Sequence, residues 1–196
     1  MSGVFPISAG FETLDFQSNT NSRVTVSVSG RSQRLKSGEQ FWSFKLKSPG
    51  MTRAEVMADF AFIVAQDGQV ESFTIVPPTI SSTRGSASGT VTVTQAYAAG
   101  LKTVRANGGS GTLKTGDLIK FSNHDKVYML TADVNMDASS EDTIAFYPPL
   151  TTAVTSSTTI TYNSVPLKVY LDKDQQKYNT QANNIYKYEI TLNEEI

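Results

Sequence analysis

Residues 81–90 read SSTRGSASGT, a stretch with no apolar residue larger than alanine. Serine and glycine offer little to a packed core, so this is linker composition. The chain changes texture across it. Before it lie long alternating segments and one helical period. Beyond it strands are short and turns frequent, until long alternation returns after Pro166.

On the N-terminal side, residues 23–30 (RVTVSVSG) alternate strictly. Val24, Val26 and Val28 share one face, and period two with β-branched residues predicts a half-buried strand. Residues 40–47 (QFWSFKLK) repeat the pattern, with Trp42, Phe44 and Leu46 inward. The polar residues between them end in Ser37-Gly38, a turn signal, so the two segments are expected to form a long hairpin. Ser48-Pro49-Gly50 breaks the strand, and residues 52–55 (TRAE) spell a capping box. Val56, Met57, Phe60, Ile63 and Val64 then recur at helical spacing, and Asp67-Gly68 supplies a stop. The expectation is one helix over 53–66 with its stripe on the sheet, followed by a strand over 69–76.

On the C-terminal side, strands are expected over 90–94, 103–106, 118–121, 126–132, 143–147 and 158–162, with no helical period among them. That pattern predicts a small barrel or sandwich. Leu167, Val169 and Leu171 then share a face, as do Tyr186, Tyr188, Ile190 and Leu192. The organisation favoured is an insertion: residues 1–84 and 166–196 share one sheet system with the helix, and 85–165 form an all-β module hung from it. Two sequential domains are the alternative.

Composition restricts function. The 196 residues are 39% hydrophobic and 18% charged, and 17 Lys plus Arg face 18 Asp plus Glu. A neutral chain has no electrostatic footprint for nucleic acid or an anionic membrane. The absence of cysteine excludes thiol chemistry, and a single histidine leaves one imidazole for acid–base work. An enzyme is therefore not expected, nor a cofactor. Residues 1–11 lack the pattern of a secretory signal, and no apolar run approaches a bilayer span, so a soluble protein made in the cytoplasm is expected.

Each motif that might carry chemistry has a plainer reading. Residues 107–111 (NGGSG) lack the downstream Gly-Lys-Ser/Thr of a phosphate loop and read as a mobile hairpin tip. His124 beside Asp125 could orient a base, but Asn-His-Asp between strands is ordinary turn chemistry. Asp133, Asn135 and Asp137 take positions 1, 3 and 5 of a calcium loop, yet Ala138 and Ile144 stand where Gly and Glu are required. These three remain weak calcium candidates beside the reading of a solvated acidic turn. Residues 23–53 hold seven basic side chains and one acid, read as a solvated face matched by acids elsewhere.

Residues 113–121 (LKTGDLIKF), 124–134 (HDKVYMLTADV) and 146–150 (FYPPL) together resemble a pattern recurring in bacteriophage tail proteins. A Gly-Asp turn opens a strand, a Lys-Val-Tyr strand ends in an acidic-Val step, and a Pro-Pro-Leu turn follows. The flanking hairpin, helix and closing strands resemble the tail-tube fold of tube and distal tail (baseplate hub) proteins. The resemblance implies a mainly β chain: a tail-tube-like β-sandwich or barrel domain with one α-helix, carrying the inserted all-β module. It also implies a virion component assembled in the host cytoplasm. The chain would be a homo-oligomeric ring, six-fold favoured and three-fold possible, passing DNA without specific binding and contacting other tail or baseplate proteins. Long edge strands are hazards in a monomer, and ring closure would cover them. Val24, Val26, Val28, Trp42, Phe44, Tyr186 and Tyr188 are the candidate oligomer contacts. Tyr97, Tyr128 and Tyr147 of the module are candidates for docking partners. The alternative is that they bind host-surface carbohydrate, as an adhesion module would.

Overall fold

The strictly alternating residues 40–47 bury as a strand should: Trp42, Phe44 and Leu46 are 3%, 1% and 0% exposed. The computed structural model around them describes residues 3–7 and 9–196. Its elements are β1 (Thr13–Val26), β2 (Ser32–Lys47), α1 (Arg53–Val64), β3 (Phe73–Ile75), β4 (Val91–Val93), β5 (Thr103–Asn107) and β6 (Gly111–Leu113). They continue with β7 (Leu118–Phe121), β8 (Val127–Leu130), β9 (Val134–Met136), β10 (Asp142–Tyr147), β11 (Thr159–Thr161), β12 (Leu167–Leu171), β13 (Tyr178–Gln181) and β14 (Ile185–Glu194). The chain is mainly β with one α-helix, and it divides into two compact units, Met1–Phe73 with Val169–Ile196, and Thr74–Lys168. The sequence expectation set those divisions at 84/85 and 165/166.

In the first unit β1, β2 and β14 lie side by side in a sheet, Val169–Leu171 of β12 pair with the other edge of β14, and β13 also pairs with β14. Helix α1 buries Val56, Asp59 and Ile63. Val64, expected in the stripe, is 57% exposed, and the helix stops there rather than at 66. The stripe is narrower than the apolar spacing suggested because it centres on a buried aspartate. At the helix start the Glu55 carboxylate accepts the Thr52 backbone N–H and hydroxyl, each at 2.9 Å. Those bonds hold the Glu55 carboxyl below its usual range.

The hairpin is longer than its alternation indicated. Strand β1 begins at Thr13, and β2 begins at Ser32, inside the stretch expected to be a polar connection. The true turn lies at residues 27–31, closed by Ser27 N–H to the Arg31 carbonyl and Gly30 N–H to the Ser27 carbonyl. Gly38 is not at a turn. It sits at a break in register between Thr20↔Gln40 and Ser22↔Lys36, where three residues of β2 face one of β1. A Cβ on Gly38 would lie 3.2 Å from the Asn21 amide nitrogen, a close approach at the bulge.

The second unit is a closed barrel, β10–β5–β4–β11–β7–β8. Its six strands are the six that alternation predicted, while the small β6–β9 pair was not foreseen. Phe121, Tyr128 and Phe146 meet edge-on at centroid separations of 5.1–5.6 Å in its core. Residues 81–90 are no slack linker. Ala87 N–H donates to the Thr112 carbonyl at 3.0 Å, and Ser88 and Ser110 exchange backbone bonds at 2.9 and 3.0 Å. Small residues are needed because a Cβ on Gly85 would lie 1.9 Å from the Thr112 carbonyl oxygen. Residues 107–111 are accordingly not a free hairpin tip: Gly109 is buried, its Cβ position 2.6 Å from Val91.

Candidate interface: the exposed ribbon

The register break at Gly38 separates two halves of the hairpin with different fates. Below it, Phe16 stacks on Trp42 at 4.7 Å and lies against Phe44 at 5.0 Å, and β14 pairs with β2 from Ser43 to Lys47. Above it only β1 and β2 pair, and every residue from 21 to 37 is exposed. Cross-strand partners share a face, so Val24 stands with Arg34 and Val26 with Ser32 on one side. Arg23 stands with Leu35 and Thr25 with Gln33 on the other.

Val24, Val26, Val28 and Leu35 are 59%, 64%, 110% and 67% exposed. Val24 and Val26 thus lie in a strand as expected but are not half-buried within one chain, because no other element among the described residues lies over either face, and Val28 lies in the turn. The ribbon also carries Arg23, Arg31, Arg34 and Lys36 and no acid from residue 22 to 36. A two-stranded ribbon with both faces and both edges open is marginal in water alone. Contiguous exposed apolar groups flanked by charge mark contact surfaces.

The other basic residues of the hairpin are matched internally. Lys45 meets Glu189 at 2.8 Å and Lys47 meets it at 3.7 Å, which lowers the Glu189 carboxyl. Lys187 meets Glu12 at 2.8 Å. The acids that match the base of the hairpin therefore come from its own unit.

Three of the expected oligomer contacts are core residues instead. Trp42, Phe44 and Tyr188 are 3%, 1% and 3% exposed and so present no face to a partner. Trp42 and Phe44 pack against Phe16, and the Tyr188 hydroxyl is bonded to Asp59 of α1. Tyr186 is half-buried against Tyr178, at 6.0 Å between rings.

The module tyrosines also divide. Tyr128 is 0% exposed, with its hydroxyl bonded to His124 Nε2 at 2.8 Å and taking the Thr151 N–H at 3.2 Å. It cannot stack on a sugar. Tyr97 and Tyr147 are half-buried, and the Tyr97 hydroxyl accepts the Arg105 N–H at 2.8 Å. His124 serves the same core. Its ring stacks on Phe121 at 5.8 Å, its Nδ1 meets the Asn123 amide at 2.8 Å, and burial pushes its pKa down. The ring nitrogens of His124 are thus taken up by Asn123 and Tyr128.

Asp133, Asn135 and Asp137 do not converge. They alternate along β9 and its ends, and residues two apart on a strand are separated by about 6.6 Å. No single ion spans that row. Asp133 instead takes the Lys114 ammonium at 2.8 Å and the Thr115 N–H and hydroxyl at 2.8 and 2.9 Å, which hold it far below the usual carboxylate range.

Asp117 is a residue whose importance alternation could not show. Its side chain is 1% exposed, and its carboxylate accepts N–H groups of Lys114 at 2.9 Å and Arg84 at 3.1 Å, together with the Thr83 hydroxyl. The Arg84 guanidinium lies against it at 3.3 Å. One carboxylate thus anchors the segment entering the barrel, and Val165 N–H to the Ser81 carbonyl at 2.9 Å ties entry to exit. The Gly-Asp turn at 116–117 was the signal that pointed here, with Gly116 at φ +91°.

Residues 80–165 match the family model described as distal tail protein pb9, B domain. No curated protein matches the chain.

Proposed function

We propose, from the premise that this chain is a bacteriophage distal tail protein of the virion tail, that it assembles into a homo-oligomeric ring around the DNA channel. The ring is formed by the first unit, with six copies favoured over three. The barrel unit is a peripheral docking surface for other tail or baseplate proteins. The observation that carries this reading is the ribbon from residue 21 to 37, exposed on both faces and bearing four large apolar side chains. A folded monomer gains nothing from such a surface, whereas a ring gives each ribbon a neighbour.

The polar face of the sheet supports the same role. Around Glu189 it presents Lys45, Lys47, Thr191 and Asn193, charges paired with one another rather than clustered by sign. A surface of that kind offers DNA no continuous positive track. Electron microscopy of the purified chain tests the reading: closed rings with a central hole support it. Particles of single-chain size at every concentration would contradict it.

A further inference from the structure

The ribbon fits a second surface of the same unit. Helix α1 ends at Val64 and the chain turns through residues 65–71, with Asp67 N–H bonded to the Val64 carbonyl and Val70 N–H to the Asp67 carbonyl. Val64 and Val70 are 57% and 76% exposed. The segment after β12 lies against this turn: Gln69 donates its N–H to Asp174 at 3.2 Å and its side-chain amide to the Asp172 carbonyl at 2.9 Å. The corner therefore combines two bare valines with Asp67, Glu71, Asp172 and Asp174, against the single base Lys173.

The last turn of α1 carries no basic side chain. The negative end of the helix dipole is thus without the cation that commonly complements it. The ribbon is the mirror of this corner in charge: four exposed apolar residues with four bases and no acid. In a chain of net charge -1, the two patches are opposite in sign and both carry exposed apolar side chains.

We infer that the ribbon of one copy seats its Val24 face on the helix-end corner of the next, Val24 and Val26 against Val64 and Val70, with Arg34 of that face and Arg31 at the turn towards the acids and the helix terminus. The occupant is a second copy of this chain. The inference rests on the ring reading and specifies its contact. Because two different surfaces meet, the contact is heterologous and propagates around a ring rather than stopping at a dimer.

Complementary variants test it by sedimentation. A chain with Arg31→Glu and Arg34→Glu opposes its ribbon to the acidic corner. A chain with Val64→Lys sets an ammonium group among the apolar side chains of the contact. Each alone is expected to lose the wild-type oligomer. An equimolar mixture is expected to recover a two-chain pair and no closed ring, since the unaltered ribbon of the second chain meets the unaltered corner of the first while the other junction stays unmatched. All three substitutions are at exposed positions, and circular dichroism checks that both variants fold. A second measurement uses the absence of native cysteine. Mixed Val26→Cys and Val70→Cys chains are expected to yield an oxidised dimer. Wild-type rings that persist in both charge variants, or a mixture that stays monomeric without a disulfide dimer, would overturn this contact and leave the ring standing. A wild-type chain that never associates would remove the ring and this contact together.

Discussion

The Tyr188 hydroxyl donates to the Asp59 carboxylate at 2.9 Å, joining β14 to α1 where both residues are almost fully buried. A carboxylate on the inward face of a helix is tolerable only with donors in place. Tyr188→Phe removes one of them and is expected to destabilise the chain by about 1–3 kcal/mol. Urea denaturation measures this, and the double variant Asp59→Leu with Tyr188→Phe should cost less than the two single changes summed.

The same pair governs alkaline stability. Burial, and then the adjacent Asp59, raise the Tyr188 pKa above the usual tyrosine value of about 10. A group whose folded pKa is raised contributes stability that is fully present below the unfolded value and is lost as pH rises towards the folded one. Between pH 9 and 11 the melting temperature of the wild type should therefore fall more steeply than that of Tyr188→Phe. Parallel curves would show that the pair contributes nothing.

Asp117→Ala is expected to cost about 3 kcal/mol, since it removes a buried charged acceptor from several donors. Amide hydrogen exchange gives the sharper reading. Protection should be lost first at Arg84 and Lys114, whose N–H groups end on that carboxylate.

Gly85→Ala should destabilise by about 3 kcal/mol or more, because its Cβ would meet backbone, the Thr112 carbonyl, with no flexible atom to give way. Gly100→Ala is the control. It has φ +92° and open space, so only the backbone conformation opposes it, at about 1–2 kcal/mol. Thermal denaturation of the two variants separates them.

Much of the fold was legible wherever alternation had a core to report. Strands β4, β5, β10, β12 and β14 each bury one face, so their buried residues recur at period two, while β7 and β8 bury residues on both faces and read as short apolar runs. The helix announced itself through Thr52 and Glu55. The ribbon was legible only in part, because Ser32–Gly38 faces solvent on both sides and carries no periodic signal. Val24, Val26 and Val28 look like a buried stripe for the same reason a contact surface does: the pattern does not say whose atoms cover it. Residues 81–90 read as a linker because glycine and serine serve close backbone approach as well as flexibility. Tyr128 and His124 were invisible as a core pair, since neither the hydroxyl nor the ring nitrogen declares its partner in sequence.

The central claim is that the ribbon holds copies of this chain together. Native mass measurement of the wild type beside a Val24→Ser, Val26→Ser, Val28→Ser variant tests it most directly. All three positions are exposed, so the variant's monomer stability should change by only about 0.5 kcal/mol per site. The account predicts a wild-type mass at a multiple of six or three chains and a monomeric variant. A strictly monomeric wild type, or a variant with the wild-type mass, would contradict it.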